Sequence, residues 1–389
     1  MKIGIDARTI LNPRKGDAIG IGHYTFQLIA NILNLDKENE YVLFFDSKVR
    51  QKDVRKFQQK NVKIVFYPFS KYKNYLPGVY NEILMNLVLT KEKLDLLHVT
   101  SSDTRIPISY RGKVLTTFHD LGVYKIPDCY KSFVRTQKKS RKQFMANKSN
   151  HVVAVSETLK KDLMEIFKLP AERISVIYSG VDKRFFQKVN GNTKKIPRKF
   201  GINKKYILFL GTIEPAKNIT RLLYAFSLFK DARMKKLGKE KCDYQLLLAG
   251  KSGWLAQDIK LIVKDLDLMT DVKFTDYVIG DELVPLFKHA EFFILPSLYE
   301  GFGTTILEAF ATGTPAILGN MASVPEIAGE AAKLVNPLDT RGIARAMGEF
   351  ANDVELRNGF AERGLERVRD FSWEKAARET LKLYGRLVD

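Results

Sequence analysis

Short apolar stretches separated by helix-length segments run through most of this 389-residue chain, and no other feature restricts its fold as much. In the first half they fall at Lys2–Asp6, Tyr41–Phe45, Val62–Phe66, Leu94–Val99, Lys113–Phe118, His151–Val155 and Ser175–Tyr178. In the second half they fall at Ile207–Gly211, Tyr244–Ala249, Val272–Thr275, Phe292–Leu295, Pro315–Leu318 and Ala332–Val335. Apolar runs of strand length, alternating with helices, predict parallel sheets covered on both faces. The alternation breaks once, across Asp182–Lys205, which is rich in Lys, Asn and Gly and carries Pro197. The expected architecture is α/β: two Rossmann-like, doubly wound domains facing a central cleft. They occupy residues 1–185 and 205–372, joined by a linker at 186–204. Ligands then bind outside the carboxyl ends of the strands. A last helix, Trp373–Val388, lies beyond the final strand, and there is no short internal repeat.

Charge divides the chain unevenly. Residues 1–200 hold 38 Lys+Arg against 18 Asp+Glu, whereas residues 201–389 hold 26 of each, so the whole excess of +20 sits in the first half. One domain is therefore expected to face something anionic: a membrane surface, an acidic acceptor or nucleic acid. The densest run, Lys131, Arg135, Lys138, Lys139, Arg141, Lys142 and Lys148, is interleaved with Tyr130, Phe133, Val134, Phe144 and Met145. It reads either as a basic amphipathic helix or as a solvated helix face over the core. Nucleic-acid binding finds no zinc spacing, recognition-helix signature or RNP-like strand to support it. Two cysteines, Cys129 and Cys242, argue for a reducing compartment and against a disulfide framework or cysteine-rich metal site. Met1–Asp6 runs straight into a strand pattern, which predicts no signal peptide. The longest apolar window, Tyr75–Thr90, contains Glu82 and Pro77 and reads as a packed helix.

Chemistry concentrates at Tyr299-Glu300-Gly301-Phe302-Gly303-Thr304-Thr305-Ile306-Leu307-Glu308, between a predicted strand and a predicted helix. A strand, a glycine turn and a helix start place free N–H groups at the positive end of a helix dipole, which is a seat for phosphate. Glu300 stands at the mouth of that turn, and Glu308, one helical turn in, can reach a sugar hydroxyl. Acids at a helix start are also favoured by the dipole alone. A second strand–loop–helix segment, Ile207 to Asn218, passes through Gly211, Thr212 and Glu214-Pro215-Ala216-Lys217. Lys217 there can counter a diphosphate, or serve as an ordinary surface lysine. His119-Asp120 follows a strand in the first half, where a histidine is either a site residue or a loop anchor. Gly20-Ile21-Gly22 precedes an apolar helix at Tyr24–Leu33 and permits close backbone approach, but it lacks the third glycine of a dinucleotide fingerprint. Ala249-Gly250-Lys251-Ser252 is no P-loop, because Gln245 stands where the earlier glycine belongs.

Together these segments resemble the retaining GT-B glycosyltransferases, specifically glycosyltransferase family 4. Further matches are Ser179-Gly180-Val181-Asp182, Ala311-Thr312-Gly313-Thr314-Pro315 and Val324-Pro325-Glu326. The resemblance spans nearly the whole chain and is most like bacterial mannosyltransferase-type members. It implies that Glu308 holds the ribose of a nucleotide sugar and that Glu300 contacts the transferred sugar. The backbone of Phe302, Gly303, Thr304 and Thr305 receives the diphosphate with Lys217, and the Gly211-Thr212 loop lies alongside. His119 and Gly22 approach from the first domain, onto which the helix 373–389 packs back. Two departures remove positive charge: relatives carry arginine where this chain has Thr212, and Glu-Pro-Arg-Lys becomes Glu-Pro-Ala216-Lys217. Arg221 is a candidate replacement. The implied reaction moves a hexose, mannose favoured, from GDP-mannose or a UDP- or dTDP-sugar, with retention, by front-face attack and without a metal. A nucleotide-sugar epimerase of the same fold is the alternative. The implied partners are a nucleotide sugar, a glycan or lipid-linked acceptor, and an anionic membrane met by the basic domain at the cytoplasmic face.

Overall fold

The computed structural model describes every residue except 12–19, 68–79, 188–192, 194, 239, 241, 255, 277 and 279. The chain forms two compact units. Unit 1 comprises Met1–Tyr124, Lys131–Gly180 and Ser372–Asp389; unit 2 comprises Lys125–Tyr130 and Val181–Phe371.

Among the described residues, unit 1 holds a seven-stranded sheet, every pair parallel. Its strands are β1 (Lys2–Asp6), β2 (Glu40–Asp46), β3 (Val62–Tyr67), β4 (Leu96–Val99), β5 (Val114–Phe118), β6 (His151–Ala154) and β7 (Ile174–Val176), in the order β3-β2-β1-β4-β5-β6-β7. All residues of β4, β5 and β6 are buried, as parallel strands covered on both faces require. The first helix runs Gly20–Leu35 and buries Leu28, Ile29, Ile32 and Leu33, one stripe of the 3.6-residue period. It begins four residues earlier than the sequence suggested, so Gly20 and Gly22 lie in its first turn and not in a loop before it. The preceding Asp17-Ala18-Ile19 lies outside the described residues. The helix Trp373–Val388 packs on this first helix, with Trp373 edge-on to Tyr24 at 5.5 Å between centroids. Tyr384 OH meets His98 Nδ1 at 2.7 Å, and His98 Nε2 meets Thr117 Oγ1 at 2.9 Å. Burial lowers the His98 pKa to about 3, so this buried chain is held together by a neutral imidazole.

Among the described residues, unit 2 carries a six-stranded parallel sheet of β8 (Lys205–Leu210), β9 (Tyr244–Ala249), β10 (Val272–Thr275), β11 (Phe292–Leu295), β12 (Ala316–Gly319) and β13 (Lys333–Val335), in the order β10-β9-β8-β11-β12-β13. Residues 181–185, read from sequence as the end of the first domain, belong here. Phe185 is fully buried, edge-on to Phe287 at 6.1 Å. Residues 125–130 also join this unit, where Trp254 Nε1 donates to Cys129 O at 3.1 Å. The stretch read as a linker contains a short helix, Lys195–Lys199, with Pro197 buried. Among the described residues no helix is long and apolar enough to cross a membrane.

Candidate active site

The carboxyl ends of three adjacent strands, β8, β11 and β12, supply the candidate site in unit 2, where ligands of open α/β sheets bind. After β8 the chain leaves through Gly211-Thr212-Ile213, clamped to the loop after β9: Gly211 N donates to Ala249 O (2.9 Å) and Ile213 N to Lys251 O (2.9 Å). The approach is so close that a Cβ on Gly250, whose φ is +143°, would sit 2.0 Å from Gly211 O. A cavity of about 500 Å³ lies along Ser252, Gly253 and Gln257 beside this clamp. Pro215–Lys217 then forms one 3₁₀ turn, ended by Asn218 at φ +59°. Asn218 Nδ2 donates to Pro296 O (3.1 Å) and Pro337 O (2.6 Å), which ties the turn to the ends of β11 and β13. Arg221, the candidate replacement cation, donates from Nη1 to Asn218 Oδ1 at 3.0 Å and braces that residue.

This bracing delivers Lys217 to Glu300. Its Nζ lies 2.6 Å from Glu300 Oε1, with the two side chains 19% and 11% exposed. Ser297 Oγ donates to the same Oε1 at 2.6 Å, and Ser323 Oγ donates to the Glu300 carbonyl at 2.8 Å. Oε1 thus accepts two hydrogen bonds, whereas Oε2 makes none among the described residues. Beyond Glu300, Gly303 adopts φ +89° as the N-cap of the helix Thr304–Ala311. A Cβ there would lie 2.7 Å from Ile306 Cδ1, so only glycine fits the turn without displacing that side chain. Phe302 is buried edge-on against Phe371 at 5.9 Å, which anchors the turn from below. The N–H groups at Gly303, Thr304 and Thr305 have no intrahelical acceptor and stand at the positive end of the helix.

Glu308, on the same helix, is 7% exposed, and its carboxyl makes no hydrogen bond among the described residues. Burial pushes its pKa up to about 8; the charge of Arg184 pulls it down and that of Asp182 pulls it further up. A carboxyl this costly to ionise, on a helix that starts at a glycine turn beside the strand ends, is a candidate functional group.

In unit 1, His119 follows β5 and is half-buried. Its Nε2–H donates to Thr100 O at 2.8 Å, so in the neutral ring Nδ1 carries the lone pair. The ring packs edge-on to Tyr24 at 4.5 Å. Burial lowers the His119 pKa and the nearby Lys142 charge adds to that, while the Thr100 bond, Asp120 and Asp103 oppose. Lys142 belongs to the basic run, yet it is buried, with Nζ 3.1 Å from Asp103 and 3.5 Å from Asp120. It therefore ties the helix Ser132–Lys148 to the loop that carries His119.

Unit 2 thus gathers Gly211, Lys217, Glu300, Phe302, Gly303, Thr304, Thr305 and Glu308, with Thr212 exposed beside them; His119 and Gly22 belong to unit 1. Sequence reading did not anticipate Ser297, Asn218 and Ser323, which fix Glu300 and Lys217, nor Arg184 beside Glu308.

Two parallel-sheet Rossmann-like units, with a glycine-turn helix start and a lysine–glutamate pair at the strand ends of the second, match the GT-B class of glycosyltransferase. Residues 192–367 match the model for glycosyl transferases group 1, and residues 20–185 match that for glycosyltransferase family 4. The chain is a glycosyltransferase and belongs to family 4. It is 29% identical over 275 residues, 70% of each chain, to O-antigen chain mannosyltransferase B of Escherichia coli. It shares its fold with WaaG, a glycosyltransferase involved in lipopolysaccharide biosynthesis (TM-score 0.74, 12% identity, 98% and 99% of the two chains covered). The same holds for HepE of Anabaena in complex with UDP-glucose (TM-score 0.73, 15% identity, 99% and 100% covered).

Proposed function

We propose that this enzyme transfers a hexose, with mannose favoured, from a nucleotide-diphosphate sugar to a glycan or lipid-linked acceptor in cell-surface polysaccharide synthesis. The observation that carries this reading is the Lys217–Glu300 pair at 2.6 Å, mounted at the start of a glycine-turn helix. Cleavage of the anomeric C–O bond sends its electron pair to the diphosphate. Lys217 and the first-turn N–H groups meet that growing charge, and one such preorganised donor is worth on the order of 3 kcal/mol of barrier. Glu300 Oε2 accepts from hydroxyls of the transferred sugar, and Glu308 accepts from the ribose. The neutral His119 offers Nδ1 as a further acceptor to the sugar. The acceptor hydroxyl attacks from the face the diphosphate leaves, and its proton passes to the departing phosphate, so configuration is retained and no metal is required.

Mannose is favoured by the likeness to an O-antigen mannosyltransferase, which makes GDP-mannose the first donor to test. The UDP-glucose complex of HepE supports a UDP-sugar as the second reading. A thermal-shift screen across GDP-, UDP-, dTDP- and ADP-sugars, followed by NMR of the product's anomeric proton, decides both. GDP-mannose is expected to stabilise the protein most and to yield an α-mannoside. No shift with any nucleotide sugar, or the same shift in Glu308→Ala, would end the proposal.

The partner surface proposed is an anionic bilayer at the cytoplasmic face. Unit 1 carries 34 Lys+Arg against 19 Asp+Glu. No acid occurs from Cys129 to Asn150, and Phe133, at the start of the helix Ser132–Lys148, is 79% exposed. Aromatic and cationic side chains on one exposed helix end suit the headgroup region. Co-sedimentation with anionic but not neutral vesicles at low salt is expected, and equal binding to both would refute the membrane contact.

A further inference from the structure

Two polar groups in unit 2 leave hydrogen-bonding capacity unfilled among the described residues. Arg184 lies in the one-turn segment Lys183–Phe186, whose N-cap Asp182 accepts from Arg184 N at 3.0 Å. The segment packs against the helix Thr304–Ala311 and is pinned there by the fully buried Phe185. The Arg184 side chain is 24% exposed, but its Nε and Nη2 atoms are buried and make no hydrogen bond among the described residues; Asp182 Oδ2 pairs with Nε at 3.5 Å. Glu308, on the facing helix, presents a buried carboxyl that also makes no hydrogen bond. The Arg184 charge acts on that carboxyl, yet the two form no ion pair.

A carboxylate only accepts and a guanidinium only donates. Both are satisfied together by a ligand that donates in one direction and accepts in the other from adjacent atoms, and a vicinal diol has that character. We propose that Arg184 forms the second wall of the subsite for the donor's ribose, donating to the oxygens of the two hydroxyls whose hydrogens go to Glu308. Arg184 is then a specificity-determining residue that distinguishes ribonucleotides from deoxyribonucleotides. Asp182 holds the guanidinium in place and, as a second negative charge, keeps Arg184 from being drawn into a direct pair with Glu308. This inference rests on the nucleotide-sugar reading above and adds the opposite wall to it.

Calorimetric titration of UDP and GDP against their 2′-deoxy forms tests the idea in the wild type, Arg184→Gln, Arg184→Lys and Glu308→Gln. The wild type is expected to prefer the ribose form by on the order of 10- to 100-fold, the worth of hydrogen bonds to charged groups. Arg184→Gln should shrink that preference about tenfold by weakening the ribose form, with the deoxy form nearly unchanged, and Arg184→Lys should recover part of it. The preference is a ratio measured on one protein sample, so a partly unfolded variant lowers stoichiometry without mimicking the result. An undiminished ratio in Arg184→Gln, with Glu308→Gln binding neither form, would overturn the Arg184 assignment alone. Failure of the wild type to bind any nucleoside diphosphate at millimolar concentration would overturn it together with the reading beneath it.

Discussion

Glu308 places a measurable load on the fold, and its pH dependence exposes it. In the unfolded chain this carboxyl ionises near the ordinary 4.5, and in the folded protein it ionises at about 8. Between those values the folded state keeps a proton that the unfolded state has lost, so stability falls as pH rises. From pH 5.5 to 7.5 the loss from this one group is about 2–3 kcal/mol, at roughly 1.4 kcal/mol per pH unit with the decline levelling off as pH nears 8. For a unit of this size that is a melting shift of roughly 5–10 °C. Glu308→Gln removes the titration and keeps the shape. Scanning calorimetry of both proteins at pH 5.5, 6.5 and 7.5 should show the wild type losing stability faster, with the gap closing toward acid. The difference between the two slopes cancels every other titrating group. Parallel curves would refute the reasoning, because they would mean the folded carboxyl is already ionised at pH 5.5. The same linkage reverses on binding: a ribose that needs the carboxylate should bind about tenfold tighter at pH 9 than at pH 7, as the ionised fraction climbs from roughly 10% to 90%.

Lys217→Met should lower kcat on the order of 100- to 1,000-fold in an initial-rate assay, with the KM for the acceptor unchanged, if the ammonium acts on the leaving group as proposed. Gly303→Ala forces a side chain onto φ +89° and into Ile306 Cδ1; it should cost about 1–2 kcal/mol in urea denaturation and weaken nucleoside diphosphate binding further than that loss explains. Lys142→Gln strands two carboxylates and should destabilise unit 1 by about 3 kcal/mol. In the same variant the imidazole proton signal of His119 should titrate at higher pH than in the wild type, because a cation that disfavoured its protonation is gone.

Each of the thirteen strands among the described residues was visible in the sequence as a short apolar run, and the central ones are buried on both faces with no polar alternation to obscure them; Phe292–Leu295 is buried at every position. The turn between the two glutamates was equally visible, since its glycines and its strand and helix neighbours are contiguous in sequence. What escaped reading was tertiary. Lys217 reaches Glu300 across 83 residues, Ser323 reaches it from the loop after β12, and Asn218 reaches Pro296 and Pro337; no local pattern announces such meetings, although Ser297 lies only three residues before Glu300. Gly20 and Gly22 misled because glycine signals a turn more often than a helix start. Lys142 is different, for its signal was present: Lys142, Met145, Ala146 and Ser149 fall at helical spacing on one buried stripe, so a lysine sharing that face had to be paired. Arg184 was hidden by composition. It opens a stretch rich in Lys and Asn that reads as a connector, although Phe185 beside it is fully buried and fixes it against the helix of Glu308. A fold selected for stability alone would give the Glu308 carboxyl a donor, and one with unfilled nitrogens lies beside it. Asp182 offsets Arg184, and no ion pair joins Arg184 to Glu308 among the described residues; under the proposed ribose subsite, the hydroxyls that satisfy both groups arrive with the substrate.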